Sequence, residues 1–202
     1  MNADHSDELL MQQYRAGDVH AFKVLYQRHS GGLYRFIAWR SPRREWVDEI
    51  VQDSWAALHE ARSRYEPTAS FRTWLYQIAR NRLIDLLRHK EAMLASDLGS
   101  RQAGDDEDGD AFEHLADRAA SASSPEAELE QKQTHDALHR AIRELPAEQR
   151  EALVLQQFNA LSIEEIAVIT MVTGETVKSR LRYAMQKLRS RLGAPTMQGE
   201  RA

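Results

Sequence analysis

The 202-residue sequence contains no cysteine, which excludes disulfides, thiolate catalysis and cysteine-bound zinc together. Glycine and proline are scarce, at 9 and 5, so long helices fit better than a succession of tight turns. No window approaches the roughly 18 consecutive apolar residues of a membrane span. The opening stretch Met1–Leu10 has neither a basic start nor an apolar run, so a signal peptide and membrane insertion are not expected. With the missing cysteines, this points to a reducing cytoplasm. No Gly-rich phosphate loop and no nucleophile elbow occurs. Surplus positive charge is lacking too. The formal net charge is -4, which at face value argues against a nucleic-acid partner.

What is present reverses that last inference. Residues 91–130 hold twelve acids against Arg101 and Arg118 alone. That is more negative charge than the whole chain nets, so the remainder is positive. The basic residues gather in two stretches, 61–90 and 176–191, and local field matters more than net charge for binding a polyanion. The acidic stretch includes Gly104-Asp105-Asp106-Glu107-Asp108-Gly109-Asp110 and Ala-Ser repeats up to Pro125. Low hydrophobicity and self-repulsion there cannot offset the entropy of ordering, so a flexible linker is expected over 92–125.

Apolar residues recur at helical spacing on either side of it. Residues 8–40 read as helix with a break at Ala16-Gly17-Asp18, where Asp18 suits a cap. A further helix is expected from about Trp46 to Ala61, with Val47, Ile50, Val51, Trp55 and Leu58 on one face. An irregular segment, Arg62 to Ser70, precedes a helix from Phe71 to about Lys90. After the linker, helices are expected at about 126–143, 147–158, 162–169 and 174–192. Leu145-Pro146 separates the first two, and Ser162 with Glu165 forms a Ser-x-x-Glu capping box. No strand and no internal repeat is legible.

Two short helices with the second basic form a helix-turn-helix pattern. In the second, Val177, Leu181, Ala184, Leu188 and Leu192 make one apolar stripe. The other faces carry Lys178, Arg180, Arg182, Lys187, Arg189 and Arg191, and no acid occurs from 176 to 191. A stripe packed on the domain leaves the N-terminal turns free to enter a major groove about 12 Å wide. Thr176, Lys178, Ser179, Arg180, Arg182 and Tyr183 fall where base edges and phosphates would lie, with Lys187 nearer the backbone. The competing reading is a solvated basic face on an ordinary packing helix; the capped helix before it and the missing acids weigh against that.

In the other basic stretch, Arg62, Arg64, Arg72, Arg80, Arg82, Arg88 and Lys90 alternate with Tyr65, Phe71, Trp74 and Tyr76, and only Glu66 and Asp85 oppose them. Cations attract the backbone and aromatic faces stack on unpaired bases, at about 1–3 kcal/mol per base. Trp74 and Leu75 read as core, whereas Tyr65, Tyr76 and the arginines read as contacts, beside Gln77 and Asn81. Asp48, Glu49, Gln52 and Asp53 form a polar patch beside the Ile50/Val51/Trp55 stripe; by itself this is an ordinary amphipathic helix. His135 and His139 have ligand spacing, but no third ligand accompanies them and no metal is expected.

Three segments in order resemble the sigma-70 family of RNA polymerase subunits, in its extracytoplasmic-function branch. Asp48-Glu49-Ile50-Val51-Gln52-Asp53-Ser54-Trp55 resembles region 2.2. The resemblance implies that Asp48, Glu49, Val51, Gln52, Asp53 and Trp55 meet the β′ clamp helices of the core polymerase. Phe71 to Arg88 resembles regions 2.3 and 2.4, which implies melting and reading of a -10 element by Arg62, Arg64, Tyr65, Arg72, Tyr76, Gln77, Arg80 and Asn81. Leu161 to Ala167 followed by Thr176 to Leu181 resembles region 4.2, which implies reading of a -35 element. Leu145-Pro146 with Gln149-Arg150 matches the start of region 4. The implied fold is all-α: a region 2-like bundle over 8–91, an acidic linker over 92–125 and a region 4-like helix-turn-helix over 126–193. The implied partners are core polymerase (β′ clamp helices and β flap), promoter DNA and an anti-sigma factor. No cofactor and no catalytic residue is expected, because the polymerase supplies the chemistry. One departure is the turn Thr170-Met171-Val172-Thr173-Gly174-Glu175, where Met171 stands at the family's glycine position and Glu175 puts an acid in the first helical turn. A dimeric helix-turn-helix regulator accounts for 126–192 but leaves 45–90 idle. A nucleic-acid enzyme would need a metal-ligand cluster that the sequence does not offer.

Overall fold

The computed structural model describes residues 5–67, 69–97 and 125–193, and all regular structure among them is helical. Four helices form the N-terminal half: α1 (Asp7–Arg15), α2 (Val19–Arg40), α3 (Glu45–Ala61) and α4 (Phe71–Asp97), with a 3-10 turn at Arg62–Arg64 between the last two. Four more follow: α5 (Pro125–Arg143), α6 (Ala147–Gln157), α7 (Ile163–Thr170) and α8 (Gly174–Leu192). The fourth helix runs past Lys90, so the first residues of the expected linker belong to α4; residues 98–124, the rest of it bar Pro125, lie outside the described residues.

The helix starts follow from local chemistry. Ser6 accepts from the Leu9 N–H, and Asp18 accepts from His20 and Ala21. Each side-chain oxygen satisfies amides that the helix cannot. Ser162 and Glu165 make the reciprocal capping box, and Thr173 accepts from the Thr176 N–H. Pro146 sits one residue outside α6 rather than inside its first turn.

Leu10, Leu25, Leu33, Phe36, Ile37, Ile50, Leu58, Phe71, Leu75 and Leu83 are fully buried and make the N-terminal core. Each such side chain contributes about 1.5–3 kcal/mol on leaving water. In the C-terminal half Val154, Leu155, Ile166, Ile169, Val177 and Ala184 play the same part. Four residues differ from expectation. Tyr65 and Tyr76, expected as contacts, are buried, and Trp74, expected in the core, is half-buried. The Tyr65 ring packs at 4.9 Å from Trp74, and it covers part of the surface Trp74 was expected to lose to the core. Leu192, the last member of the expected apolar stripe of α8, is 46% exposed.

The two halves pack against each other, α2 on α6 and α4 on α7. Part of the basic stretch on α4, expected as an open contact surface, thus lies against the other half at this joint.

Candidate nucleic-acid and polymerase interfaces

Three surfaces emerge. On α3, Asp48, Glu49, Gln52 and Asp53 are all exposed, one helical face apart from the buried Val47, Ile50, Ser54 and Leu58. Val51 and Trp55, which the resemblance placed with the acids, are 9% and 5% exposed. The Trp55 and Phe22 rings pack nearly perpendicular, with 5.7 Å between centroids. Apolar packing claims both residues, and they support the polar face from below rather than joining it.

The second surface is the outer side of α8. Its stripe Val177, Leu181, Ala184 and Leu188 is buried, while Lys178, Arg182, Tyr183 and Lys187 are exposed and Thr176, Ser179 and Arg180 half-buried. The turn before it ends α7 at Met171, which takes the left-handed conformation (φ 55°, ψ 44°). The backbone thus makes the shape a glycine would make, with the Val172 N–H bonding the Ala167 carbonyl at 3.1 Å. Glu175 pairs with Lys178 at 2.8 Å, and this mutual bond lowers the acid's pKa and raises the amine's. Arg180 is held by Glu148 of α6 at 3.0 Å, and the Arg182 guanidinium lies 5.1 Å over the Tyr183 ring. Glu148 has no periodic or motif relation to Arg180, so only the fold reveals the pair.

The third surface, the one expected to meet single-stranded DNA, divides in two. Arg64 and Asn81 are exposed and Arg62 is half-buried, its guanidinium donating to the His59 carbonyl at 2.7 Å. Burial in the aromatic cluster pushes the Tyr65 hydroxyl up to about 12. Arg72, Tyr76, Gln77 and Arg80 of α4 are turned toward the C-terminal half. Arg72 donates to the Asn159 carbonyl, and the Tyr76 hydroxyl donates to Asn159 Oδ1 at 2.6 Å. Gln77 donates to the Val168 carbonyl at 3.1 Å. Arg80 donates to Glu151 at 3.1 Å, and Arg40 of α2 approaches the same carboxylate at 3.5 Å. Ser70 and Thr73 donate to Glu165 at 2.7 and 3.3 Å. Burial pushes the Tyr76 hydroxyl far above its ordinary value. For Glu165, burial pulls the other way from its bonds, but the Ser162 N–H, Ser70, Thr73 and the nearby Arg72 prevail and lower it. Sequence reading missed Arg40, Glu151 and Asn159, whose partners lie across the chain. Among the described residues no group of three or more metal-ligating side chains gathers, and His139 packs its ring 4.8 Å from Trp39 instead.

The Sigma-70 region 2 model matches residues 25–92, and the Sigma-70 region 4 model matches 135–188. The chain is 31% identical over 190 residues to the ECF RNA polymerase sigma factor SigM of Mycobacterium tuberculosis, covering 94% of this chain and 86% of that one. It is 28% identical over 189 residues to the ECF RNA polymerase sigma-E factor of Salmonella typhimurium, covering 93% and 95%. In fold it resembles CnrH solved with the cytosolic domain of CnrY (TM-score 0.65, 24% identity, 95% of this chain and 100% of that one). It also resembles the sigma factor RpoE of Bartonella quintana solved with the anti-sigma factor NepR (TM-score 0.66, 21% identity, 86% and 98%). The chain therefore belongs to the sigma-70 family, and within it to the ECF subfamily.

Proposed function

We propose that this chain carries core RNA polymerase to its promoters, reading a -35 element with α8, melting and reading a -10 element with the basic part of α4, and docking on the enzyme through α3. The observation that carries this reading is the outer face of α8, cationic from 176 to 191, held out by a capped helix-turn-helix on a buried stripe. Thr176, Lys178, Ser179 and Arg180 occupy the first turns, where a helix lying in the major groove meets base edges. Arg182, Tyr183 and Lys187 flank them toward the phosphates. Glu148 pre-orients Arg180, so less side-chain freedom is lost on binding.

On α3 the acids Asp48, Glu49 and Asp53 with Gln52 offer acceptors to a basic partner surface, taken here as the β′ clamp helices. The second contact of the enzyme, its β flap, falls to the C-terminal half. Arg62, Arg64, Arg72, Gln77, Arg80 and Asn81 supply donors to an opened strand. Tyr65 and Tyr76 support that surface from within. The chain itself catalyses nothing in this scheme and works in the cytoplasm, where the polymerase is. An anti-sigma factor as inhibitor is part of the proposal, by analogy with the partners named for CnrH and RpoE.

The test is run-off transcription with purified core polymerase on genomic fragments. Initiation at discrete sites is expected, with Arg180→Ala weakening recognition of the upstream element by about 1–3 kcal/mol. Asp53→Ala should weaken polymerase binding without changing the helical content. A chain that shifts duplex DNA alone and never binds polymerase would instead be a helix-turn-helix regulator.

A further inference from the structure

We propose that α1 is a positioning element for reading the -10 strand: Arg15 and Glu8 hold the two borders of the irregular segment between α3 and α4, and so fix where the strand donors on either side of it stand. The inference deepens the function proposed above and rests on it. It concerns residues that the region 2 match, which begins at residue 25, does not reach.

The chain leaves regular structure at Tyr65, whose backbone is extended (φ -65°, ψ 123°), and regains it at Phe71. Between these points a helical ladder does not set the register, so the backbone groups at the two borders need partners from elsewhere. Both find them on α1. The Arg15 guanidinium donates to the Tyr65 carbonyl at 3.1 Å, and Glu8 Oε1 accepts from the Phe71 N–H at 3.0 Å. The second bond also caps α4. Phe71 carries the first amide of that helix, which the helix itself cannot satisfy, while Ser70 serves the amide of Thr73 at 3.2 Å. Seven positions apart, Glu8 and Arg15 stand on one face of α1, about 10 Å from each other along its axis. One helix thus grips the segment at both borders.

A grip needs a fixed base, and α1 has one. Leu10 and Met11 are fully buried, and Tyr14 is nearly so. Asp7 binds Arg28 at 2.8 Å and His29 at 2.7 Å, both on α2, and the His29 ring packs 5.3 Å from that of Phe71. The Tyr14 hydroxyl and His59 Nδ1 are hydrogen-bonded, so α1 also meets the last turn of α3, just ahead of the segment.

The segment has apolar anchors of its own, the buried rings of Tyr65 and Phe71. Apolar burial is non-directional and tolerates sliding, whereas a hydrogen bond prefers one distance and one angle. The packing holds the segment down; Arg15 and Glu8 hold it in register. What they place is the set of strand donors, Arg62 and Arg64 on one side and those of α4 on the other. They act through the backbone of the segment and touch no strand in this scheme, which makes them positioning residues.

The test uses holoenzyme reconstituted from core polymerase and the full chain, on a promoter mapped by run-off transcription, with 2-aminopurine in its -10 element. The fluorescence of that base rises when it unstacks and so reports opening. A hydrogen bond to a charged group biases a local equilibrium by at least about tenfold, and apparent strand affinity falls in proportion to the fraction of segments in register. Arg15→Ala and Glu8→Ala should each lower the opened fraction by about three- to tenfold, with affinity for core polymerase and for the duplex -35 element unchanged. Arg15→Lys and Glu8→Gln, which keep a donor and an acceptor, should recover most of it. Arg15 is exposed, so Arg15→Ala should fold by circular dichroism even where Glu8→Ala does not, and its outcome alone then decides. Alanine variants that open the promoter as wild type does overturn the proposal. So does a loss of opening matched by an equal loss of polymerase binding, because α1 would then serve only the stability of the bundle. Conservative variants no better than alanine overturn it as well. Failure of the functional reading would show separately, as no transcript and no fluorescence rise with the wild-type chain.

Discussion

Met171 offers a sharp test of the turn that presents α8. It caps α7 in the left-handed region, at φ 55° and ψ 44°, where an L-residue carries a cost of about 1–2 kcal/mol. Its side chain is 74% exposed, so truncation removes little burial. Met171→Ala keeps the strained backbone, and Met171→Gly removes the strain. Glycine brings its own penalty, about 0.5–1 kcal/mol from the freedom it has when unfolded. At the midpoint of these ranges Met171→Gly is more stable than Met171→Ala by about 0.75 kcal/mol. At an ordinary helical position the order is the reverse, with alanine ahead of glycine by about 1 kcal/mol. The sign alone therefore decides the matter. Urea unfolding of the two variants, followed by far-UV circular dichroism in one buffer, gives the comparison, and equal slopes would confirm that only stability changed. In a body of this size the melting temperatures should differ by about 1–4 °C. Alanine equal to or above glycine would refute the left-handed cap, and with it this account of how the chain makes its turn without the expected glycine.

Two further outcomes are expected. Glu175→Gln removes an acid from the first turn of α8 and frees Lys178, now bonded to it at 2.8 Å. Duplex binding should tighten, and the decline of affinity with salt should steepen, both read by titration at several ionic strengths. The Glu165 carboxyl is lowered below its ordinary 4.5. A lowered acid stabilises above its unfolded value and loses that contribution as pH falls through the folded one. Acid below about pH 4.5 should therefore loosen the α7 cap and the joint to Ser70 and Thr73 together, and Glu165→Gln should flatten the stability profile there. A profile unchanged by the substitution would remove Glu165 from both roles.

The helices were legible because each rests on nearby residues. The Asp18 cap, the Ser162–Glu165 box and the α8 stripe are decided within about one or two turns, by backbone amides seeking partners and apolar faces seeking cover. The left-handed turn was legible as a conflict, since a motif that wants glycine holds Met171. The illegible part lies at the joint. Whether Tyr76 faces DNA or Asn159, and whether Arg80 is a free cation or a partner of Glu151, depends on residues some 70–80 positions away along the chain. The same ambiguity misled the burial of Tyr65 and Tyr76, whereas the periodicity put Val51 and Trp55 on the apolar face and only the resemblance set them among the contacts. An aromatic between arginines has one pattern whether its ring stacks on a base or on Trp74, and amphipathic periodicity does not say where a stripe's edge ends.

A chain of net charge -4 can carry two basic surfaces because the acids of residues 91–130 outweigh them. On the α4 side, Glu151 of α6 meets Arg80 and Arg40, and Glu165 of α7 accepts from Ser70 and Thr73. On α8, Glu148 and Glu175 each hold one cation, and Lys187 and Arg182 face water. The two basic surfaces are thus quenched unequally, one by an acid buried across the joint and the other by side-chain pairs at its edge. The outer face of α8 therefore keeps the larger share of unshielded cations, and local field rather than net charge decides where a polyanion settles.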